Sequence, residues 1–149
     1  MKLDDRTERN ISTLHPIAQE RAREFMRAAI PIMEQRGVAV RIISGTRSYA
    51  EQNALYAQGR TAPGKIVTKA RGGYSNHNFG IAWDIGLFRG KEYLGSSPLY
   101  RECGQIGKSL DLIWGGDWKS FPDEPHFEVP TGLTLAQMRE RVAAGKSVL

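Results

Sequence analysis

The sequence predicts an α+β fold in a single domain spanning residues 1–149. Three observations predict it. The chain is 149 residues long, enough for one real core and short for two. Its apolar residues recur at helical spacing in some segments and alternate with period two in others. Helices and strands also follow one another without the strand–helix–strand alternation of a parallel sheet. No internal repeat or low-complexity tract interrupts this, which predicts no separate wall-binding or nucleic-acid-binding module.

From Pro16 to Met33, apolar residues including Ala18, Ala22, Phe25, Met26 and Ala29 fall on one helical face. Pro16 suits a first helical turn, and Pro31 is expected to kink or end the helix. Gly37 releases the chain into VAVRII, residues 38–43, whose β-branched residues predict a strand. A second helix follows Ser48, which forms a capping box with Glu51, and Gly59 is its natural stop. Residues 60–76 read as a turn-rich segment. Ile81, Trp83, Ile85 and Leu87 then alternate with Ala82, Asp84 and Gly86, the period-two pattern of a strand.

Gly90 to Ser97 predicts a hairpin turn or loop, and Pro98 opens a helix with Leu99, Tyr100, Cys103, Ile106 and Leu110 on one face. LIW, residues 112–114, is a short strand leading into the turn GGDW. Pro125 and Pro130 bracket HFEV, a strand that the prolines should confine to a sheet edge or end. Leu135, Met138, Val142 and Ala143 predict a C-terminal amphipathic helix.

Composition narrows the function classes. At 40% hydrophobic and 25% charged residues the chain is that of an ordinary globular protein. No segment approaches the ~20 apolar residues of a membrane span. The charged start MKLDDRTERN predicts no Sec signal peptide, hence synthesis in the cytoplasm. The single Cys103 excludes an internal disulfide and a cysteine-based zinc cluster, and its apolar surroundings predict a buried, inert thiol. The net charge of +5 favours polyanionic neighbours such as bacterial wall polymer or nucleic acid. Only residues 60–71 form an acid-free basic stretch, either a solvated loop or a substrate contact. Nothing resembling a recognition helix or a stacking platform supports a nucleic-acid partner.

The chemistry concentrates around SNHNFGIAWD, residues 75–84. Asp84 shares its strand face with small residues only, which leaves room for an ion or ligand. His77 lies seven positions earlier and would point to the opposite face of a continuous strand, so the chain must turn at Asn78-Phe79-Gly80 for the two to meet. A histidine at a strand start is more often a hydrogen-bonded structural residue than a ligand. DEPHFE, residues 123–128, changes the balance by offering His126. Two histidines and a carboxylate complete the three protein ligands of a catalytic zinc, with the fourth position left to water. Asp123 is then a candidate base on that water, with Glu124 as a competing acid. Arg47, in a Ser-Gly-Thr-Arg-Ser turn, is a candidate for the developing oxyanion or, alternatively, a salt bridge at the helix start. His15 has no place in this set. Trp114 and Trp118 flank a Gly-Gly turn and either line a groove or belong to the core.

In this order, SGTRSYAEQNALYAQGR, SNHNFGIAWD and WGGDWKSFPDEPHFE resemble the M15 zinc peptidases, above all the L-alanyl-D-glutamate endopeptidases found as phage endolysins and bacterial wall hydrolases. Ser75, His77, Gly80, Ala82 and Asp84 match every fixed position of the family motif Ser-x-His-x-x-Gly-x-Ala-x-Asp, and Asp123 and His126 match the second motif. The resemblance spans about residues 13–129. It implies a small, mainly antiparallel sheet carrying the site, with helices packed around it as in Hedgehog and DD-peptidase domains. It implies one zinc ion held by His77, Asp84 and His126, and Asp123 as catalytic base, a position where many relatives carry glutamate. It implies Arg47 as the group that binds and polarises substrate, with Gln52, Ser75 and Trp114 as further substrate contacts. The expected activity is hydrolysis of the peptidoglycan stem peptide between L-Ala and D-Glu by a monomeric, antimicrobial endolysin of a phage or prophage, acting at the wall after release during host lysis. Two alternatives remain: a D-Ala-D-Ala carboxypeptidase or dipeptidase with the same ligand set, and a non-catalytic zinc-bearing peptidoglycan-binding domain.

Overall fold

The computed structural model describes residues 2–149. Its centre is an antiparallel sheet of β1 (Ala39–Ser44), β2 (Ala82–Arg89), β3 (Glu92–Leu94), β4 (Ile113–Trp114) and β5 (His126–Glu128). The strand order is β1-β2-β5-β4, with β3 paired to the last residues of β2. Five helices accompany it: α1 (Asp5–Ser12), α2 (Pro16–Gln35), α3 (Tyr49–Ala57), α4 (Leu99–Ser109) and α5 (Leu135–Ala143). The α+β class and the antiparallel sheet agree with the sequence reading.

The alternation in β2 does what its pattern predicts. Trp83, Ile85 and Leu87 are buried in the main core, where they meet Phe25 of α2 and Phe127 of β5. The Phe25 and Phe127 rings stand 4.6 Å apart at the centroids, within the range where aromatic pairs add to simple burial. Cys103 of α4 lies in the same core, and burial pushes its thiol up to about 12. It is inert at neutral pH, as expected.

Four elements depart from the sequence reading. The sequence reading missed helix α1, which Asp4 caps by accepting from the Thr7 amide and which buries only Thr7 and Ile11. Its main work is polar. The hydroxyl of Thr7 accepts from the Ile42 amide at 3.0 Å, and Asn10 Nδ2 donates to the Ile42 carbonyl at 2.9 Å. These bonds occupy backbone groups of edge strand β1 that have no neighbouring strand. Second, α2 does not stop at Pro31 but continues to Gln35. Pro31 and Arg27, the residue whose carbonyl loses its helical partner, both lie on the exposed face. Third, β5 is not an edge strand, because it pairs with β2 on one side and β4 on the other. The prolines fall just outside its three residues, and Pro125 contributes only a carbonyl, which accepts from Ile85 N at 2.9 Å. Fourth, α5 is less amphipathic than expected. Met138 is buried beside Phe79 and Ile81, while Val142 faces solvent.

Register carries the fold into the site. In the β2–β5 ladder, Trp83 stands opposite Phe127 and Asp84 opposite His126. Side chains alternate along a strand, so seating Trp83 and Phe127 in the core obliges Asp84 and His126 to share the other face.

Helix α4 approaches this ladder closely enough to invert an ordinary rule. Replacing a mid-helix glycine with alanine usually stabilises by about 1 kcal/mol. A Cβ at Gly107 would stand 2.5 Å from Cε1 of Phe127. Gly107→Ala is therefore expected to destabilise the protein, by about 1–3 kcal/mol as for other overpacked cores. Urea unfolding of the variant beside wild type measures the sign directly.

Candidate functional site

Three elements deliver three side chains to one point. Asp84 comes from β2, His126 from β5, and His77 from a 3-10 turn over Asn76–Asn78. The turn is locally encoded. Ser75 Oγ accepts from the His77 amide at 3.2 Å, and Asn78 Oδ1 reaches back to the Ser75 amide at 3.2 Å. The backbone of Arg47 is tied to the same turn, donating to the His77 carbonyl at 2.8 Å and accepting from Asn78 Nδ2 at 2.9 Å. Gly80, with φ +73°, then returns the chain to β2. The turn required by the sequence at residues 78–80 is thus present, and it swings His77 over Asp84.

The resulting geometry is a triangle. His77 Nε2 lies 3.2 Å from Asp84 Oδ1 and 3.2 Å from His126 Nδ1, and His126 Nδ1 lies 3.3 Å from Asp84 Oδ1. The far nitrogens show which way each ring is protonated. His77 Nδ1 is 2.9 Å from the Gly45 carbonyl, and His126 Nε2 is 2.7 Å from Glu128 Oε1. Both partners only accept, so both far nitrogens carry hydrogen and both near nitrogens, in neutral rings, present lone pairs. Two imidazole lone pairs and a carboxylate oxygen thus converge, an arrangement that needs positive charge at its centre. Ligands of a tetrahedral zinc ion at about 2.0–2.1 Å stand about 3.3–3.4 Å from one another, so the spacing and the donor set fit such an ion. His77, Asp84 and His126 form a group able to hold a metal.

Without an ion, a proton takes that role. Burial alone disfavours the charged form of His126, but hydrogen bonds to Asp84 and Glu128 outweigh it and push its pKa up to about 9. Burial likewise works against the Asp84 carboxylate, and the two histidines outweigh it, holding the group well below the usual carboxylate range. Asp123 moves the other way. Burial, then the nearby Asp84 charge, raises its pKa against the opposing pull of His126, His77 and Arg47.

Asp123 is half-exposed, with Oδ2 4.0 Å from His126 Nδ1. Its loop folds against the turn at residues 115–117, where the Asp123 amide donates to the Gly115 carbonyl at 2.9 Å. A cavity of about 490 Å³ joins Asp123 to Arg47, Ser75, Trp118 and the His77–Asp84–His126 group. Arg47 has no carboxylate partner among the described residues, and its buried Nε has no hydrogen-bond partner. The salt-bridge alternative for Arg47 is therefore not realised. Glu124 turns away to Arg101, Oε2 to Nε 3.1 Å, which removes it as a competitor of Asp123.

Two expected substrate contacts lie elsewhere. Gln52 is fully buried, donating to the Ala70 carbonyl at 2.8 Å, and it ties the loop at residues 68–70 to α3 rather than facing the cavity. Trp114 is 6% exposed, and its indole donates to the Glu124 carbonyl at 2.7 Å. A methyl group at Gly104 or Gly116 would collide with that indole, so Trp114 is packed as core. Trp118 instead faces the cavity, its ring centroid 4.8 Å from that of His126. Of the basic stretch 60–71, Val67 and Thr68 reach the cavity wall, while Lys69 lies over the ring of Phe121 at 3.4 Å.

The sequence reading missed Glu128. It is buried, takes the His126 Nε2 hydrogen bond, and accepts from Asn76 Nδ2 at 2.8 Å. The signal was present: residues two apart on a strand share a face, so His126 and Glu128 had to be neighbours.

The chain is similar to several known peptidases. A family model of M15 peptidases, described as D-alanyl-D-alanine carboxypeptidase, matches residues 68–129. The peptidoglycan L-alanyl-D-glutamate endopeptidase CwlK of Bacillus subtilis (strain 168) is 43% identical over 128 residues, covering 79% of this chain and 74% of that protein. The L-Ala D-Glu endopeptidase ChiX of Serratia marcescens shares the fold, with TM-score 0.59, 21% identity, and 89% of this chain and 92% of that one covered. A vancomycin-resistance D,D-pentapeptidase, VanY, solved with Zn(II), matches with TM-score 0.55 and 14% identity over 91% of this chain and 81% of its own.

Two outcomes follow from the geometry. His126 has a folded pKa of about 9 against an ordinary 6.5, so its contribution to the metal-free fold is complete below about pH 6.5 and lost as pH rises through 9. Chelator-treated protein should lose stability between pH 6 and pH 9.5, on the order of 3 kcal/mol by urea unfolding. Glu128→Gln keeps an acceptor for Nε2 but removes the charge that makes His126 a strong donor. It should weaken zinc affinity about tenfold, read by competition with a chromogenic chelator.

Proposed function

The chain belongs to the M15 peptidase family, and on that premise we propose that it is a zinc-dependent endopeptidase cutting the L-Ala–D-Glu bond of the peptidoglycan stem peptide. The observation that carries this reading is the lone-pair triangle of His77, Asp84 and His126 with Asp123 and Arg47 on the same cavity. The 43% identity to an L-alanyl-D-glutamate endopeptidase supports the choice of bond.

In this reading His77, Asp84 and His126 hold one zinc ion. Zinc, when bound, supplies the Lewis acidity that makes water a nucleophile at neutral pH and polarises a carbonyl. Asp123 takes the proton of the attacking water and returns it to the leaving amine of D-Glu. Its raised proton affinity suits both halves of that task, because a carboxyl with an ordinary pKa gives up a proton readily but holds one poorly. Arg47 faces the same cavity with no carboxylate to neutralise it, so its guanidinium is free to bind the carbonyl oxygen as negative charge develops. Ser75 acts through His77, holding the turn that aims the imidazole. Trp118 covers one side of His126 and limits the access of bulk water.

We extend the reading to wall lysis by a phage or prophage enzyme. The net charge of +5 supports adhesion to an anionic wall. Hydrolysis of the terminal D-Ala-D-Ala bond is a second reading, favoured by the description of the matching family model.

Digestion of purified peptidoglycan, with and without chelator, separates these readings. New N-terminal D-Glu, found by mass spectrometry and abolished by chelation, is the expected result. Released D-Ala without new D-Glu termini would replace the first reading with the second. Asp123→Ala should lower the cleavage rate at least about a hundredfold while zinc content stays at one per chain. An unchanged rate would remove Asp123 from its role.

A further inference from the structure

A second charged feature borders the cavity at Tyr74. Tyr74, 41% exposed, lines the cavity three residues before His77. Two guanidinium groups gather on its ring. Arg139 of α5 lies 3.9 Å from the ring centroid, and Arg71 of the preceding loop lies 4.5 Å from it. Arg139 is held there by its Nη1, which donates to the Gly73 carbonyl at 3.0 Å. We propose that Arg71, Tyr74 and Arg139 form a subsite for a carboxylate of the stem peptide, and that it makes the enzyme selective for acidic over amidated substrate.

Three observations carry the inference. First, Arg71 and Arg139 share one ring, while Arg41 and Arg60 each lie alone on theirs, and Arg21, Arg23, Arg36 and Arg101 are held by a carboxylate instead. Among the described residues, neither Arg71 nor Arg139 has one. Each guanidinium is attracted by the ring, but together they leave uncompensated positive charge beside the cavity that an anion would neutralise. Second, the elements are brought together across the chain. Arg139 is 66 positions from the Gly73 carbonyl it binds, so α5 is docked against the loop that precedes the site. Third, the chemistry on offer is that of a carboxylate site: two planar guanidinium forks and a phenol hydroxyl able to donate. The positive potential also shows in Tyr74 itself, whose hydroxyl is made more acidic by hydrogen bonding to Arg71 and by the charges of Arg139 and Arg71.

The inference rests on the stem peptide being the substrate. A D-Glu residue linked through its γ-carboxyl keeps a free α-carboxylate, and the residue that follows can bring another at the chain end. The site recognises the group they share. Amidation of either one removes the charge without changing its shape appreciably, which makes an amide the natural comparison.

The test measures binding in the zinc-loaded Asp123→Ala protein, so it does not depend on which bond is cut. Three synthetic stem peptides are titrated by calorimetry: one with both carboxylates, one with only the D-Glu α-carboxyl amidated, and one with only the terminal carboxyl amidated. The doubly charged peptide should bind about tenfold more tightly than one of the two amides, the scale of a charge-assisted hydrogen bond. Whichever amide binds weakly identifies the carboxylate. Adding Arg71→Gln and Arg139→Gln should abolish that preference while zinc content stays unchanged, and Arg71→Gln alone, which leaves the Arg139–Gly73 bond in place, should weaken it. In the otherwise wild-type enzyme the same pair should raise KM for the charged peptide with kcat retained. Equal binding of all three peptides, or a preference that survives the double substitution, overturns the subsite. Failure to cut L-Ala–D-Glu would overturn the proposed activity alone.

Discussion

The structure depends on one unfavourable arrangement: three electron pairs, from His77, Asp84 and His126, aimed at a common point from 3.2–3.3 Å. Left to themselves these groups would turn away to water. They stay because each is held from behind. The Gly45 carbonyl holds His77, Glu128 holds His126, and the β2–β5 ladder holds Asp84 opposite His126. A proton on His126 relieves the repulsion in the metal-free protein, and a metal ion at the centre would turn it into coordination.

The apolar core is what makes that holding possible. Trp83 and Phe127 face each other across the ladder and are fully buried, with Phe25 packed on both. Sliding β5 by one residue would expel Phe127 from the core and carry His126 in. The register of the site is therefore protected by the hydrophobic free energy of the opposite face, although the two faces share no side chain. Helix α1 extends the same economy to the sheet edge, where Thr7 and Asn10 satisfy the Ile42 backbone.

The other two charged groups of the cavity sit outside regular elements. Asp123 lies on a loop and Arg47 in a turn, and both reach the cavity from positions fixed by backbone hydrogen bonds rather than by burial. Close packing at Gly115 sets how near the Asp123 loop comes to His126, since a Cβ there would stand 2.9 Å from Cβ of His126.

Patterns of near neighbours were legible in the sequence. The period-two run of β2, the Ser48–Glu51 capping box and the need for a turn before Gly80 are all encoded within a few residues, and local sterics and hydrogen bonds decide them. His126 and Asp123 were legible because their spacing matches a known chemistry. Glu128 was legible in principle through its strand spacing from His126. Tertiary structure alone decided the rest. Trp114 and Trp118 look equivalent in the sequence, yet one is enclosed by Gly104, Gly116 and the Glu124 carbonyl while the other faces the cavity. Glu124 and Asp123 are adjacent acids; the family motif favoured Asp123, but that Glu124 pairs with the distant Arg101 is decided by the fold. The interior place of β5 and the gathering of Arg71, Tyr74 and Arg139 likewise depend on segments far apart in the chain. The reason is common to all of them: local pattern specifies what a residue can do, but its partners come from whichever segments the core brings alongside it.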